Sequence, residues 1–336
     1  MVFRFFKNTV KFSLVFFYLL YLHQTCLLAM EKADDISQLD RKGVPMSTSK
    51  TILITGATNG LGRIAAKTLA EQDAHLIIIA RSQEKMDETH AEILRSVPSA
   101  KIDFEYADFT RLSTVADAAL KIAEKYQRID VLINNAGIHA FEQRITADGF
   151  GEMVSVNYLA PWLLTSILRQ RLVESAPSRI VTVASEASRQ SKSLDPTRDL
   201  TDTTTYTFLG SSQYYGCTKL MNIMFSMELA RQLKDTGVVV NCLCPGFNVT
   251  GLGREVPFAG LLETVLKLFS VGDPNRGASI IVQLASDTAF ANVSGGYFSV
   301  DGKPITPIDI GNDITAQQLL WTETAKLMRK YNPFNE

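Results

Sequence analysis

Short apolar segments rich in β-branched residues recur along the chain from residue 51 onward, and each has the length of a single β-strand. Most are nearly continuous in apolar residues, which is typical of strands whose two faces are both buried. The pattern predicts strands at Thr51–Thr55, His75–Ala80, Lys101–Ala107, Asp130–Asn134, Arg179–Ala184, Val238–Leu243 and Tyr297–Val300.

Segments with helical spacing separate the predicted strands. The clearest are Leu61–Glu71, Thr114–Tyr126, Glu152–Leu172 and Tyr215–Leu233. Strand and helix in alternation predict an α/β protein with a doubly wound parallel sheet. Because no internal segment rich in Pro, Gly or Ser interrupts the alternation, we interpret residues 46–336 as one domain.

Residues 1–45 differ from the rest of the chain. Basic residues precede an apolar stretch from Phe12 to Met30, which is close to the roughly 20 residues that span a bilayer. An uncleaved signal anchor, a cleaved signal peptide and an untranslated extension before Met46 all fit this pattern. We favour the anchor, because Leu27 stands where a cleavage site before Ala29 needs a small residue. The flanking charges leave the side of the membrane open.

The composition argues against several other classes of function. Lys and Arg number 34 and Asp and Glu number 35, so the net charge of −1 gives no overall field that favours nucleic acid. The four cysteines include no Cys-x-x-Cys pair, and the four histidines form no ligand-like cluster. Neither a disulfide framework nor a metal site is therefore predicted.

A glycine-rich loop follows the first predicted strand and runs directly into a helical pattern. Glycine lets the backbone approach a pyrophosphate, and the N-terminus of the next helix offers unpaired N–H groups and the positive end of its dipole. We expect this loop to bind a dinucleotide, with a plain glycine-rich turn as the alternative. Its residues are Gly56, Ala57, Thr58, Asn59, Gly60, Leu61 and Gly62.

The end of the second predicted strand indicates which dinucleotide is bound. An acidic residue there would hold the ribose 2′-hydroxyl of NAD, but this strand ends in Arg81 and the next acid is Glu84. A guanidinium group suits a 2′-phosphate through charge-assisted hydrogen bonds. NADP(H) is therefore favoured over NAD(H), the alternative being a solvated arginine in a loop.

Tyr215 and Lys219 are four residues apart in a predicted helix, so they share one face of it. A nearby ammonium group favours the phenolate, which would lower the pKa of the tyrosine and let it exchange a proton near neutral pH. Tyr214 would place the lysine on a different face. The end of the fifth predicted strand brings Ser185 to the edge of the sheet where ligands bind.

These features together resemble the short-chain dehydrogenase/reductase family, and within it the branch similar to retinol dehydrogenases and to the WW-domain oxidoreductase. The resemblance extends from Thr51 to Lys326. Besides the glycine loop, Arg81 and Ser185, it rests on Asn134-Asn135-Ala136-Gly137, Asp148-Gly149-Phe150, Val156-Asn157-Tyr158, Tyr215 with Lys219, and Pro245-Gly246. Ala184 and Ala160 depart from residues frequent in the family.

The resemblance implies a Rossmann-fold oxidoreductase that uses a nicotinamide cofactor. Tyr215 would be the acid/base, Ser185 would bind the substrate oxygen, Lys219 would hold the nicotinamide ribose, and Asn157 would support a water relay. Asp108 would meet the adenine, and the residues after the fourth and sixth strands would line the riboses and the nicotinamide. The implied cofactor contacts outside the loop are Arg81, Asp108, Asn134, Ala136, Gly137, Tyr215, Lys219, Pro245, Gly246 and Thr250.

The resulting hypothesis is an NADP(H)-dependent enzyme that interconverts a carbonyl and an alcohol on a small lipophilic substrate such as a retinoid, a steroid or a lipid aldehyde or ketone. The apolar segment from Val256 to Phe269 could be a lid over that substrate, or could pack against the sheet or a second subunit. A non-catalytic nucleotide sensor and a carbon–carbon double-bond reductase are the alternatives. The expected location is a membrane, the endoplasmic reticulum in a eukaryotic cell, and a homo-oligomer is compatible with the sequence.

Overall fold

A computed structural model describes residues 49–191, 193–246 and 273–334. Within these residues the chain forms a seven-stranded sheet in the order β3-β2-β1-β4-β5-β6-β7, and each neighbouring pair is parallel. The strands are β1 (Thr51–Thr55), β2 (His75–Ala80), β3 (Lys101–Tyr106), β4 (Val131–Asn134), β5 (Ser178–Val183), β6 (Val238–Leu243) and β7 (Tyr297–Phe298). The predicted fold class is confirmed, and β7 alone is clearly shorter than expected.

Helices connect the strands and cover both faces of the sheet. They are α1 (Gly60–Glu71), α2 (Gln83–Ser96), α3 (Leu112–Lys125), α4 (Glu152–Val154), α5 (Ala160–Glu174), α6 (Pro196–Asp199), α7 (Phe208–Gln232), α8 (Pro274–Ser286), α9 (Asp309–Asn312) and α10 (Ile314–Met328). A π-helical turn, Ser155–Leu159, joins α4 to α5, and a 3₁₀ helix, Glu186–Gln190, follows β5.

The continuous apolar runs arise because successive side chains of a strand enter different cores. In β1, Ile52 and Ile54 belong to the core beneath α1, α2 and α8. Leu53 points to the opposite face and joins the core beneath α3, α5 and α7. Each of these three side chains is 1% exposed or less, so a polar residue at any of them would be buried.

The helix that carries Tyr215 begins earlier than the sequence pattern predicts. α7 starts at Phe208 rather than near Tyr215, and the Thr207 hydroxyl caps it by accepting a hydrogen bond from the Gly210 amide at 3.1 Å. Tyr215 therefore lies two turns inside the helix, where its backbone is held by intrahelical hydrogen bonds. Gly210 lies in the stretch that the pattern missed, and glycine lowers helix propensity.

The last helix, α10, completes the core on the α7 face. Leu320 is fully buried there, and the Trp321 ring stacks on Phe225 of α7 with centroids 5.9 Å apart and an angle of 5°. Trp321 also meets Trp162 of α5, with centroids 5.1 Å apart. The C-terminal helix is thus held by aromatic packing against the helix that carries the candidate acid/base.

Three of the sequence predictions lie outside the described residues. They are the N-terminal anchor, Thr250 and the apolar segment from Val256 to Phe269. Among the helices that the structure does describe, none is both long and apolar enough to cross a bilayer.

Two neighbouring leucines of α10 provide a matched test of its packing. Leu320→Ala should lower the free energy of unfolding by about 2–5 kcal/mol, because it leaves a cavity in the core. Leu319→Ala removes the same atoms from a side chain that is 41% exposed and should cost less than about 0.5 kcal/mol. Urea unfolding followed by tryptophan fluorescence measures both changes. Equal losses would contradict the docking of α10 described above.

Candidate active site

The candidate site lies at the carboxyl ends of the central strands. The strand order reverses between β1 and β4, and ligands of open α/β sheets bind in the crevice at such a switch point. The glycine loop follows β1 directly, and Ser185 lies just beyond the end of β5. Parallel pairing therefore brings residues that are far apart in sequence to one edge of the sheet.

The glycine loop is packed so closely that side chains are excluded from two of its positions. Gly56 has φ +68°, and a Cβ atom there would lie 2.8 Å from the Ala136 Cα. A Cβ atom on Gly62 would lie 2.5 Å from the Gly56 carbonyl oxygen. The Asn59 side chain caps α1 by accepting a hydrogen bond from the Gly60 amide at 2.8 Å. The loop thus presents bare backbone and a helix N-terminus, the features that a pyrophosphate requires.

Thr55 and Asn135 fasten the glycine loop to the loop that follows β4. The Thr55 hydroxyl accepts hydrogen bonds from the Asn135 and Ala136 amides at 3.1 and 3.0 Å. The Asn135 side-chain amide donates to the carbonyl oxygens of Thr55 and Gly56 at 2.9 and 3.2 Å. These hydrogen bonds between the two loops were not predicted from the sequence, because the residues that they join are some 80 positions apart in the chain.

Asn134 contributes to packing between the sheet and a helix. Its side chain is 3% exposed and donates to the Thr165 hydroxyl of α5 at 3.0 Å. This bond ties the end of β4 to α5. Ala136 and Gly137, by contrast, are partly exposed next to the glycine loop and Lys219.

Asn157 lies in the π-helical turn and is fully buried. Its side chain accepts a hydrogen bond from the Ile138 amide at 2.8 Å and donates to the Ile138 carbonyl at 2.9 Å. It also donates to the Thr218 hydroxyl of α7 at 3.0 Å. π-turns of this kind are frequent at functional sites, and here the turn links the loop after β4 to the helix that carries Tyr215.

Ser185, Tyr215 and Lys219 come together as the sequence predicted. The Ser185 side chain lies beside the Tyr215 hydroxyl, close enough to lower its pKa. The Ser185 hydroxyl also caps the following 3₁₀ helix, accepting a hydrogen bond from the Ala187 amide at 3.1 Å. Lys219 donates to the Val183 carbonyl oxygen at 2.8 Å, and its Nζ lies 5.7 Å from the centroid of the Tyr215 ring. The serine, the phenol and the ammonium group therefore form one contiguous cluster.

Burial dominates the ionisation of this cluster. It raises the pKa of Tyr215 above the ordinary value for a phenol, while the Ser185 hydrogen bond acts in the opposite direction. Burial also lowers the pKa of Lys219 to about 8. In the protein on its own the pKa of Tyr215 is thus raised rather than lowered, because loss of hydration is the largest influence on the phenol. The effect of Lys219 on this pKa stays a prediction.

Arg81 and Asp108 lie at the same edge of the sheet, beyond the ends of the neighbouring strands β2 and β3. The Arg81 side chain is exposed. The Asp108 carboxylate accepts hydrogen bonds from the Thr110 amide and hydroxyl at 3.1 and 2.8 Å. On the other side of the site, Pro245 and Gly246 follow β6.

An aromatic group beside Tyr215 was not predicted from the sequence. The His139 ring stacks on the Tyr215 ring with centroids 4.7 Å apart and an angle of 16°. The Phe141 ring packs against the His139 ring, with centroids 4.5 Å apart. The only signal in the sequence is that His139 follows the Asn-Asn-Ala-Gly motif by two residues.

The segment between Ser185 and Tyr215 folds against the same loop. The Tyr206 hydroxyl donates to the Glu142 carbonyl at 3.0 Å, and the Tyr214 hydroxyl donates to the Asp202 carbonyl at 2.9 Å. The first bond holds Tyr206 to the loop after β4, and the second holds Asp202 to α7.

Similarity to known proteins agrees with this arrangement. Residues 50–196 match the family model described as short chain dehydrogenase. The chain is 33% identical to retinol dehydrogenase 13 of Homo sapiens over 286 residues, which cover 83% of this chain and 84% of that protein. It is 34% identical to retinol dehydrogenase 14 of Homo sapiens over 304 residues, covering 85% and 88% of the two chains.

A solved structure shows the same architecture. A protein of Beutenbergia cavernae, described as an NAD(P)-dependent gluconate 5-dehydrogenase with bound NADP, has a TM-score of 0.60 and 27% identity, and the match covers 76% of this chain and 97% of that one. The resemblance found in the sequence is thereby confirmed: the chain belongs to the short-chain dehydrogenase/reductase family, as an NAD(P)-dependent oxidoreductase that acts on CH–OH groups.

Proposed function

We propose that this protein is an NADP(H)-dependent oxidoreductase that interconverts a carbonyl and an alcohol on a small lipophilic substrate. The observation that carries the proposal is the cluster of Ser185, Tyr215 and Lys219 at the carboxyl edge of the sheet. A nucleotide sensor has no need of a proton donor, so this cluster favours an enzyme over a binding module.

The residues present fit a dinucleotide. The glycine loop packs so closely on Ala136 that a Cβ atom on Gly56 would clash with it. The loop therefore presents bare backbone, and α1 begins at its end. Arg81 is exposed beyond the end of the adjacent strand, β2, where a guanidinium group favours a 2′-phosphate. Together these features support NADP(H) over NAD(H).

The remaining cofactor contacts are proposed by position. Thr58, Asn59, Gly60 and Leu61 belong to the loop and the start of α1, where backbone amides face the phosphates. Asp108 follows β3, while Ala136 and Gly137 follow β4 and Pro245 and Gly246 follow β6. These positions suit the adenine, the riboses and the nicotinamide respectively.

The chemistry divides between the cofactor and the protein. A reduced nicotinamide supplies the hydride. Tyr215 donates its phenolic proton to the carbonyl oxygen, and Ser185 donates a hydrogen bond where negative charge develops. The raised pKa of Tyr215 keeps the phenol protonated at neutral pH, as reduction requires. Lys219, with a pKa of about 8, is mostly a cation at that pH and stabilises the tyrosinate left behind.

Aromatic side chains next to Tyr215 support a lipophilic substrate. The rings of His139 and Phe141 make the surroundings of the proposed proton donor apolar, which favours a substrate of low polarity. The names of the two human relatives, retinol dehydrogenases 13 and 14, point in the same direction. The proposal also covers the organisation of the chain. Residues 1–45 are proposed as a membrane anchor, with an endoplasmic reticulum location in a eukaryotic cell, and residues 46–336 as the catalytic domain.

Tyr215→Phe tests the proposed function directly. It should lower kcat at least about 100-fold, because a positioned general acid contributes about 10²–10⁴-fold, while NADPH binding stays intact. The measurement follows NADPH absorbance with retinal, steroid ketones, medium-chain aldehydes and an enone as substrates.

Tyr214→Phe is the matched control, since that hydroxyl bonds the Asp202 carbonyl rather than Ser185, and its kcat should stay within about threefold. Turnover that survives in Tyr215→Phe would contradict the role of Tyr215. Consumption of NADPH with the enone alone would favour a double-bond reductase, and tight binding without any turnover would favour a sensor.

Arg81→Ala tests the choice of cofactor. The dissociation constant of NADPH should rise about 10- to 100-fold, because a charge-assisted hydrogen bond contributes about 1.5–3 kcal/mol, and that of NADH should not change. Arg95→Ala is the control, since this exposed arginine lies at the opposite end of α2, roughly 18 Å away along the helix axis. Fluorescence titration measures both constants. An equal effect on NADPH and NADH would argue against a 2′-phosphate contact.

The pKa of Lys219 predicts a pH dependence of cofactor binding. The lysine is a cation below pH 8 and neutral above it, so the attraction for an anionic dinucleotide is present below about 8 and is lost as the pH rises. The dissociation constant of NADPH should increase by up to about tenfold per pH unit above 8. Lys219→Met should bind more weakly and show no such dependence between pH 7 and 9. Lys121→Met, at an exposed lysine of α3, is the control. A pH dependence that survives in Lys219→Met would refute its assignment to Lys219.

A further inference from the structure

His139 connects two residues of α7 that lie on the same face of that helix. Its Nε2 is 3.2 Å from the hydroxyl oxygen of Ser211, which is fully buried. Its ring lies nearly parallel to that of Tyr215, one helical turn further along, at a centroid distance of 4.7 Å. The imidazole is thus fixed by a hydrogen bond at one end and presents a flat face to the phenol at the other.

The backbone that carries His139 is itself held firmly. The preceding residue, Ile138, exchanges two hydrogen bonds with the buried Asn157 side chain, at 2.8 and 2.9 Å. Phe141 packs against the imidazole from the same loop, at a centroid distance of 4.5 Å. The His139 ring is therefore a rigid surface that belongs to the loop after β4, whereas Tyr215 belongs to α7.

Tyr215 needs such a surface, because this residue is only partly buried. A tyrosine side chain can turn about two torsions, and a proton donor that is misplaced by about 1 Å loses much of its effect. Ser185 meets the ring only at its hydroxyl tip, and a contact at the tip leaves the plane of the ring free to tilt.

We propose that His139 is a positioning residue for Tyr215, and that the face of its ring, rather than its hydrogen bond to Ser211, holds the phenol in the orientation needed for proton transfer. The inference rests on the proposed role of Tyr215 as acid/base. It adds a residue for which the sequence patterns gave no role in the reaction.

Three substitutions separate the ring face from the hydrogen bond. His139→Phe keeps an aromatic face and removes the polar nitrogen. His139→Gln keeps a polar group that can reach Ser211 and removes the ring, and His139→Ala removes both. Steady-state kinetics with NADPH and the best substrate of the wild-type protein give kcat and KM for each variant. Thermal unfolding and the NADPH dissociation constant show that each variant is folded and binds its cofactor.

We expect His139→Phe to keep kcat within about threefold of wild type. His139→Gln and His139→Ala should each lose about tenfold in kcat, the upper range for a stacked aromatic pair, with KM for NADPH within about twofold of wild type. The solvent deuterium isotope effect on kcat should increase in the same two variants, because proton transfer becomes slower relative to the other steps. A purely structural role would lower stability without raising this isotope effect.

Two results would overturn the proposal while leaving the function of Tyr215 intact. One is a kcat for His139→Ala equal to that of wild type. The other is rescue by Gln but not by Phe, which would assign the positioning to the hydrogen bond. Activity that survives in Tyr215→Phe would instead remove the proposed function itself, and the inference with it.

Discussion

The hydrogen bond from the Lys219 ammonium group to the Val183 carbonyl oxygen is the interaction on which the candidate site depends. Lys219 is 4% exposed, and a buried cation is tolerated only where polar groups replace its hydration. The bond ties α7 to the end of β5. Because Tyr215 is on that helix and Ser185 lies just beyond that strand, the same bond fixes the distance between the proposed acid and its hydroxyl partner.

The loop after β4 encloses the ammonium group from another direction. A Cβ atom on Gly137 would lie 3.3 Å from Lys219 Nζ and 3.4 Å from the Asn157 side-chain oxygen. Asn157 in turn contacts Thr218, whose hydroxyl donates to the Tyr215 carbonyl at 2.8 Å. Lys219, Asn157 and the loop are therefore packed as one unit, and the small size of Gly137 is what permits it.

The two sides of the site differ in chemistry. The side formed by the glycine loop exposes backbone amides and a helix N-terminus, with Arg81 beyond it, and suits an anionic dinucleotide. The side formed by His139 and Phe141 consists of packed aromatic rings. Tyr215 stands between them, in contact with the imidazole and with Ser185. This division is the basis of the proposal that an anionic cofactor and an apolar substrate meet at Tyr215.

The sequence by itself determined the features that arise within one element or between adjacent elements. The apolar runs predicted the parallel sheet because both faces of each strand are buried, and the i, i+4 spacing placed Tyr215 beside Lys219 because a helix has 3.6 residues per turn. Only the tertiary structure decided which way burial shifts the pKa of Tyr215, how Asn157 braces Ile138, and that His139 stacks on Tyr215. These depend on packing between segments that lie far apart in sequence, and no local periodicity encodes the distance between them.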